Sequence, residues 1–208
     1  ELQQRAAQSI GIKYPPQHMQ AERLLLDGWL KQMAVIETQM DRMIEQMSML
    51  ASKTPYLDIL TSLPGISHKL AVLFMAETGD LSRFCHYKQI EKLAGYNLRQ
   101  SQSGQYSGSR HISHIGNKRL SWILYKMSEE TIKYVPEVRQ RFIKRQLKRR
   151  CYRKNVVASV SNLLRLIMAL VKEQRCYQVR ENTTLTLLEQ QYRHLKKMDK
   201  VRFKKSAA

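Results

Sequence analysis

The sequence predicts an all-α fold: a long coiled-coil helix followed by a compact helical domain. Its longer apolar stretches repeat at steps of three and four residues, which is the spacing of one helix face. Thr54-Pro55 and Gly79-Asp80 end two of these stretches, as helix-terminating residues do. No stretch has a convincing strand pattern. We therefore expect helices throughout.

The first 54 residues are predicted to hold one long helix. Residues 1–20 contain Pro15 and Pro16 with little periodicity and are interpreted as an extended lead-in. In residues 21–54 a heptad seam predicts a coiled-coil helix about 40 Å long. The seam can pack within the chain or join two protomers, and both remain open. Its positions are Leu26, Trp29, Met33, Ile36, Met40, Met43, Met47 and Leu50.

Residues 55–176 are expected to form the compact domain, which begins with a helix-hairpin-helix. Helical stretches at 56–62 and 67–78 flank the turn from Leu63 to Ile66. Gly65 would let the backbone approach a ligand, and the N–H groups near Ser67 and Lys69 would face a phosphate. An ordinary helical corner is the alternative interpretation.

A Ser- and Gly-rich segment, residues 100–120, follows a predicted helix at 87–94 and precedes one at 118–132 that Asn117 caps. The segment has no carboxylate, which disfavours a Ser-His-Asp triad. It suits phosphoryl transfer better, because cations must neutralise the nonbridging oxygens. A mobile linker is the alternative. The candidate cations are Arg99, Arg110, Lys118 and Arg119.

Charge is the strongest global signal. The 208 residues contain 36 Lys and Arg against 17 Asp and Glu, a net charge of +19, which favours a nucleic-acid partner. Nothing in the sequence predicts a membrane span or a signal peptide. Cys85, Cys151 and Cys176 suit reduced thiols, and no ligand spacing predicts a metal site.

The densest basic run is predicted to be a helix along a phosphate backbone. Residues 139–154 contain nine basic residues with Phe142 and Tyr152 between them. A core helix at 155–171 and a basic tail at 177–208 follow. The residues expected to bind nucleic acid here are Arg145, Lys148, Arg149, Arg150, Arg153 and Lys154.

Three segments in order carry a family resemblance: LTSLPGISHKLAVLFMAETGDLSRF, IEKLAGYNLRQSQSG and ISHIGNKRLSWIL. Over about residues 55–170 the chain resembles the C-terminal transposase domain of the insertion-sequence family one-hundred-ten, with its one-sixteen and nine-hundred-two relatives. It is also similar to the Piv-type DNA invertases. The chain differs from the usual pattern at Leu98, His114 and Ser121.

The resemblance implies a DNA recombinase whose nucleophile is the serine of an "SG" pair, here Ser103 before Gly104. It also implies a RuvC-like domain that binds Mg²⁺, and we expect that domain to lie outside this chain. A guide RNA is implied as a further partner. The expected setting is the cytoplasm and nucleoid. We expect little activity from this chain alone. A non-catalytic nucleic-acid-binding module and a decayed remnant are the alternatives.

Overall fold

The structure is a computed structural model that describes residues 20–103, 106–113, 115–179 and 183–206. The all-α prediction is confirmed. Besides helices, this described part contains two short strands and one 3₁₀ turn. They are β1 (Leu98–Ser103), β2 (Tyr106–Ile112) and the turn at Leu81–Arg83. The helices are α1 (Gln20–Ala51), α2 (Tyr56–Thr61), α3 (His68–Thr78), α4 (Tyr87–Leu93), α5 (Lys118–Tyr134), α6 (Pro136–Lys148), α7 (Tyr152–Glu173) and α8 (Thr183–Ser206).

The chain divides into two compact units, Glu1–Glu45 and Gln46–Ala208. In the described residues of the first unit, α1 is a single exposed helix. The seam positions from Leu26 to Met43 are all exposed there, Trp29 to 62%. The predicted lead-in, residues 1–19, lies outside the described residues.

The second unit is built around α7, which packs against α5, α6, α4 and α2. Val160, Leu164 and Ile167 are buried on α7, so the predicted core helix is confirmed. Each fully buried aliphatic side chain contributes about 1.5–3 kcal/mol through removal from water. By length and composition alone α7 could also cross a membrane, but 56% of its apolar window is buried inside the chain, as in a core helix.

The α5 prediction is also confirmed. Leu120, Ile123, Leu124 and Met127 are buried on one face of the helix. Asn117 caps the helix, because its Oδ1 accepts from the Arg119 N–H at 2.9 Å and the Leu120 N–H at 3.1 Å.

The basic run at 139–154 is two helices rather than one. α6 ends at Lys148 and α7 begins at Tyr152, with extended backbone at Arg149 and Cys151. The buried Asn155 accounts for the break, because its Nδ2 donates to the Arg149 carbonyl at 2.7 Å. The apolar face of α6, which includes Phe142 and Ile143, has no continuation at Arg149 and Arg150.

The predicted basic tail includes a packed helix. α8 lies along α6, where Glu189 pairs with Arg139 and Tyr192 meets Phe142 edge-on with ring centroids 6.4 Å apart. Leu185 and Leu188 also pack against the core. These apolar positions account for the helix, and the basic residues dominate only its second half.

Candidate nucleic-acid interface

Ser103 lies at the tip of an antiparallel hairpin, where the sequence predicts a loop. Leu98 pairs with Ile112 at the base, and Ser103 pairs with Tyr106 at the tip. The rise of a strand separates Leu98 from Ser103 by about 16 Å. Gly104, the second residue of the "SG" pair, and His114 lie outside the described residues.

The register of the hairpin separates the predicted catalytic arginines. Between the pairs Gln100–Arg110 and Gln102–Ser107, β1 has one residue and β2 has two, so the extra residue of the β-bulge belongs to β2 and β1 keeps the alternation of a strand. Arg99 and Ser103 therefore occupy positions on one face. Arg110 pairs with Gln100 and occupies a position on the other face. Arg99 shares the face of Ser103 but lies about 13 Å along the strand from it.

The base of the hairpin is joined to the start of α5. The Ser113 N–H donates to the Asn97 carbonyl at 2.9 Å, and the Asn117 N–H donates to the Leu93 carbonyl at 2.7 Å. Asn117 Nδ2 also donates to Glu77 Oε2 on α3 at 2.6 Å. Lys118 and Arg119 therefore begin α5 beside the hairpin base, at the end opposite to Ser103.

Two of the segments that carry the resemblance are packed against each other. A Cβ on Gly116 would lie 2.5 Å from the Gly95 nitrogen and 2.6 Å from the Leu93 oxygen. Gly95 itself has a φ of 76°, which favours glycine. The Tyr96 hydroxyl donates to the Ser121 carbonyl at 2.7 Å. Gly116 is therefore needed for packing, and Gly95 is needed for its backbone conformation.

Gly65 is likewise explained by packing inside the chain. Its φ is 94°, and a Cβ there would lie 2.9 Å from the Tyr134 ring and 3.0 Å from the Glu130 backbone. The open side of the glycine faces α5, which is a correction to the idea that it faces a ligand. Ser67 and Lys69 are exposed at the start of α3, so nucleic-acid contact at this turn remains a prediction for them.

A cluster of exposed cations surrounds the junction between α6 and α7. We call it the basic corner. Apart from Arg150, its members have no side-chain hydrogen bond or ion pair with any residue that the structure describes. The charges of these other members are therefore available to an external anion. The basic corner consists of Lys144, Arg145, Lys148, Arg149, Arg150, Arg153 and Lys154, all exposed.

The two aromatic residues of the basic run differ in burial, because Phe142 belongs to the core whereas Tyr152 is 43% exposed. Phe142 is only 3% exposed and contacts Tyr152 edge-on with ring centroids 5.7 Å apart, so it cannot stack on a base. Burial, together with the negative charge of Glu129, raises the pKa of Tyr152 to about 12. The Tyr152 hydroxyl lies 3.4 Å from Glu129 Oε1. Along α5, Glu129 lies three turns, about 16 Å, from Lys118 at the start of the helix beside the hairpin base.

Trp122 is the residue that the sequence analysis missed. It lies on α5 one turn after Lys118, is 55% exposed, and lines a cleft with Lys118 and Arg119. Its position two residues after the buried Leu120 placed it on the polar face, and that signal was readable in the sequence.

The described residues contain no group of three or more His, Cys, Asp or Glu side chains that could hold a metal ion.

Comparison with known proteins finds a family match for the part of the chain that holds the hairpin, and the basic corner follows the matched residues. Residues 57–142 match the family model described as Transposase IS116/IS110/IS902 family. A comparison with curated proteins finds no match to the chain. The matched residues run from α2 into α6 and include the Gly95–Gly116 contact. Residues 57–142 of this chain are therefore similar to the Transposase IS116/IS110/IS902 family.

Proposed function

We propose that this chain is the nucleic-acid-binding part of a transposase, with the basic corner as its main phosphate-binding surface. The observation that carries the proposal is the family match together with the exposed cations of the basic corner which, Arg150 apart, lack partners within the described chain. Such cations bind backbone phosphates without reading sequence, because they displace condensed counterions. DNA is the expected partner, and a structured guide RNA presents the same phosphate chemistry.

Ser103 is the proposed nucleophile. Its Oγ would bond to the phosphorus of a DNA phosphodiester while the bond to the 3′ oxygen breaks. The serine proton is balanced by protonation of the leaving 3′-hydroxyl, and a 5′-phosphoserine remains on the chain. Attack by another 3′-hydroxyl on that phosphorus would release the serine and join new strands.

A second candidate function, a non-catalytic binding module, is favoured by the hairpin geometry. Ser103 lies at the tip, whereas Lys118 and Arg119 lie at the base, and Arg110 is on the other face. Catalysis would thus require cations from the DNA-bound assembly or from another protomer. The Mg²⁺ expected from the family resemblance would likewise be held by a RuvC-like domain, and we expect little strand exchange by this chain alone.

Binding is tested by titrating the chain into duplex DNA and into structured RNA across a salt series. The affinity is expected to fall linearly in log salt. Replacing Arg145, Lys148, Arg149 and Arg153 by glutamine should reduce the slope by about 3–4. The matched control replaces four exposed cations elsewhere, Lys31, Lys53, Arg83 and Lys88. No binding at low salt, or equal slopes for the two variants, would contradict the proposed surface.

The role of Ser103 is tested in a transposase that contains both this domain and a RuvC-like domain. Ser103→Ala is expected to abolish the covalent protein–DNA adduct and recombination while DNA affinity stays unchanged. Ser101→Ala, two positions earlier on β1, is the matched control and should retain activity. Recombination at the parent rate by Ser103→Ala would leave the binding module as the function.

A further inference from the structure

A cleft between α3 and α5 combines an apolar wall with cations at its rim. Its volume is about 420 Å³, within the range of pockets that bind small ligands. The start of α5 forms one wall and the end of α3 the other. The lining residues are Leu73, Glu77, Lys118, Arg119, Trp122 and Ile123.

The exposed side chains of the cleft have the chemistry of a nucleotide site. Trp122 is 55% exposed, although burying an indole is favourable. Lys118 and Arg119 are exposed and form no side-chain hydrogen bond or ion pair with a residue that the structure describes. An aromatic surface beside unpaired cations suits a ligand that is flat at one end and anionic at the other.

The helix amides at this end of α5 are already occupied. Asn117 Oδ1 accepts from the N–H groups of Arg119 and Leu120, and Glu77 holds the amide of Asn117 through Oε2. A phosphate is therefore left to the Lys118 and Arg119 side chains. The Glu77 carboxylate, tied to Asn117, forms the opposite wall. The two cations outnumber this one anion.

We propose that this cleft holds one unpaired nucleotide, with its base against the Trp122 indole and its phosphate between Lys118 and Arg119. The inference rests on the proposed function in that the partner is nucleic acid. A paired base is stacked on both faces by its neighbours, so only an unpaired base can reach the indole. The basic corner, by contrast, needs only phosphates.

Fluorescence tests the base contact directly. Trp29, the other tryptophan, lies on α1, so Trp29→Phe leaves Trp122 as the single reporter. Oligothymidylate should quench its emission. The same measurement with oligouridylate tells whether the bound nucleotide comes from RNA or from DNA. A strand of equal length whose residues are abasic keeps the phosphates but should not quench. Equal quenching by the abasic strand, or no quenching by either base-containing strand, overturns the proposal.

Affinity provides the second measurement. Trp122→Leu should weaken binding of labelled oligothymidylate about 10-fold, the effect of losing one stacked base, whereas Trp122→Phe should retain most of the affinity. Duplex binding and its salt slope should be the same for all three chains. If duplex binds with a steep slope but Trp122→Leu has no effect, the nucleotide site is wrong and the proposed function stands. If neither duplex nor single strand binds, both the nucleotide site and the proposed function are wrong.

Discussion

Gly116 lies where the start of α5 meets the end of α4, and its missing side chain is what permits the contact. Its Cβ position would fall within 3 Å of three atoms of Leu93 and Gly95, all of them backbone. Backbone atoms cannot move aside as the end of a flexible side chain can. Gly116 therefore allows the start of α5 to pack against the end of α4.

Gly116→Ala is expected to destabilise the second unit by at least about 1–3 kcal/mol, because the added methyl overpacks this contact. Urea unfolding followed by circular dichroism measures the change. Gly28→Ala is the matched control, since nothing lies within 4 Å of its Cβ position and Gly28 is inside α1. Alanine there should add helix stability of about 0.5–1 kcal/mol. Equal stability of Gly116→Ala and the parent would contradict the packing role.

Tyr152 links stability to pH at the basic corner. Burial and then the charge of Glu129 raise its pKa to about 12, above the ordinary 10.0. The folded state thus keeps the proton longer than the unfolded state does. The contribution of protonated Tyr152 to the stability of the folded state is complete below pH 10 and is lost as pH rises from 10 to 12.

Tyr152→Phe should therefore lose less stability than the parent between pH 10 and pH 12. Comparing the free energy of unfolding of the two chains at each pH removes the effect of the other tyrosines and the lysines. Glu129→Gln should lower the Tyr152 pKa. The change is measured as the difference between the ultraviolet titration curves of the Glu129→Gln chain and the parent. Parallel pH profiles of parent and Tyr152→Phe would show that Tyr152 titrates normally.

At the scale of elements, α1 has a seam that its own unit leaves exposed. Ile36 is 54% and Met40 48% exposed, which is unusual for a continuous apolar stripe. Only Met47, at the end that belongs to the second unit, packs against the core. A second copy of the helix stays a prediction as the partner of the exposed part of the seam.

Replacing Ile36 and Met40 by glutamate is expected to convert an assembled chain to monomers, because two charges would enter the seam of each helix. Ala34→Glu with Thr38→Glu adds the same charge outside the seam and should leave assembly intact. Light scattering at tens of micromolar measures the mass. A monomeric parent would show that the seam does not join protomers.

Strand pairing and helix breaks were harder to predict than helices. The hairpin contains mostly Ser, Gln, Gly and Arg, which have no alternating apolar face, so its pairing is visible only through the partner strand. The break after Lys148 depends on the Asn155 side chain that captures the Arg149 carbonyl. Helices α5 and α7 were predictable because their apolar spacing is local.

At the scale of the whole molecule, the two units should be separable. The second unit contains the buried core, with Ala51 as the last residue of α1 within it. Fragment 46–208 is expected to unfold with the free energy of the second unit in the full chain, within about 0.5 kcal/mol. It should also be monomeric.

A shorter fragment, 52–208, is the control. It lacks the half-buried Met47, the buried Ala51 and the Ser48–His68 hydrogen bond. Loss of this packing should cost about 1–3 kcal/mol by urea unfolding. If fragment 46–208 fails to fold, the first 45 residues belong to the same cooperative unit.

The sequence by itself determined the helical class, the excess of positive charge, the core faces of α5 and α7, and the family segments. Each depends on residue type or on spacing along one helix, which a local pattern records. Only the tertiary structure decided that Ser103 is at a hairpin tip, that the glycines face α5 and α4, and that Trp122 lines a cleft with Lys118. These depend on contacts between distant segments, whose free energy no single stretch of sequence contains.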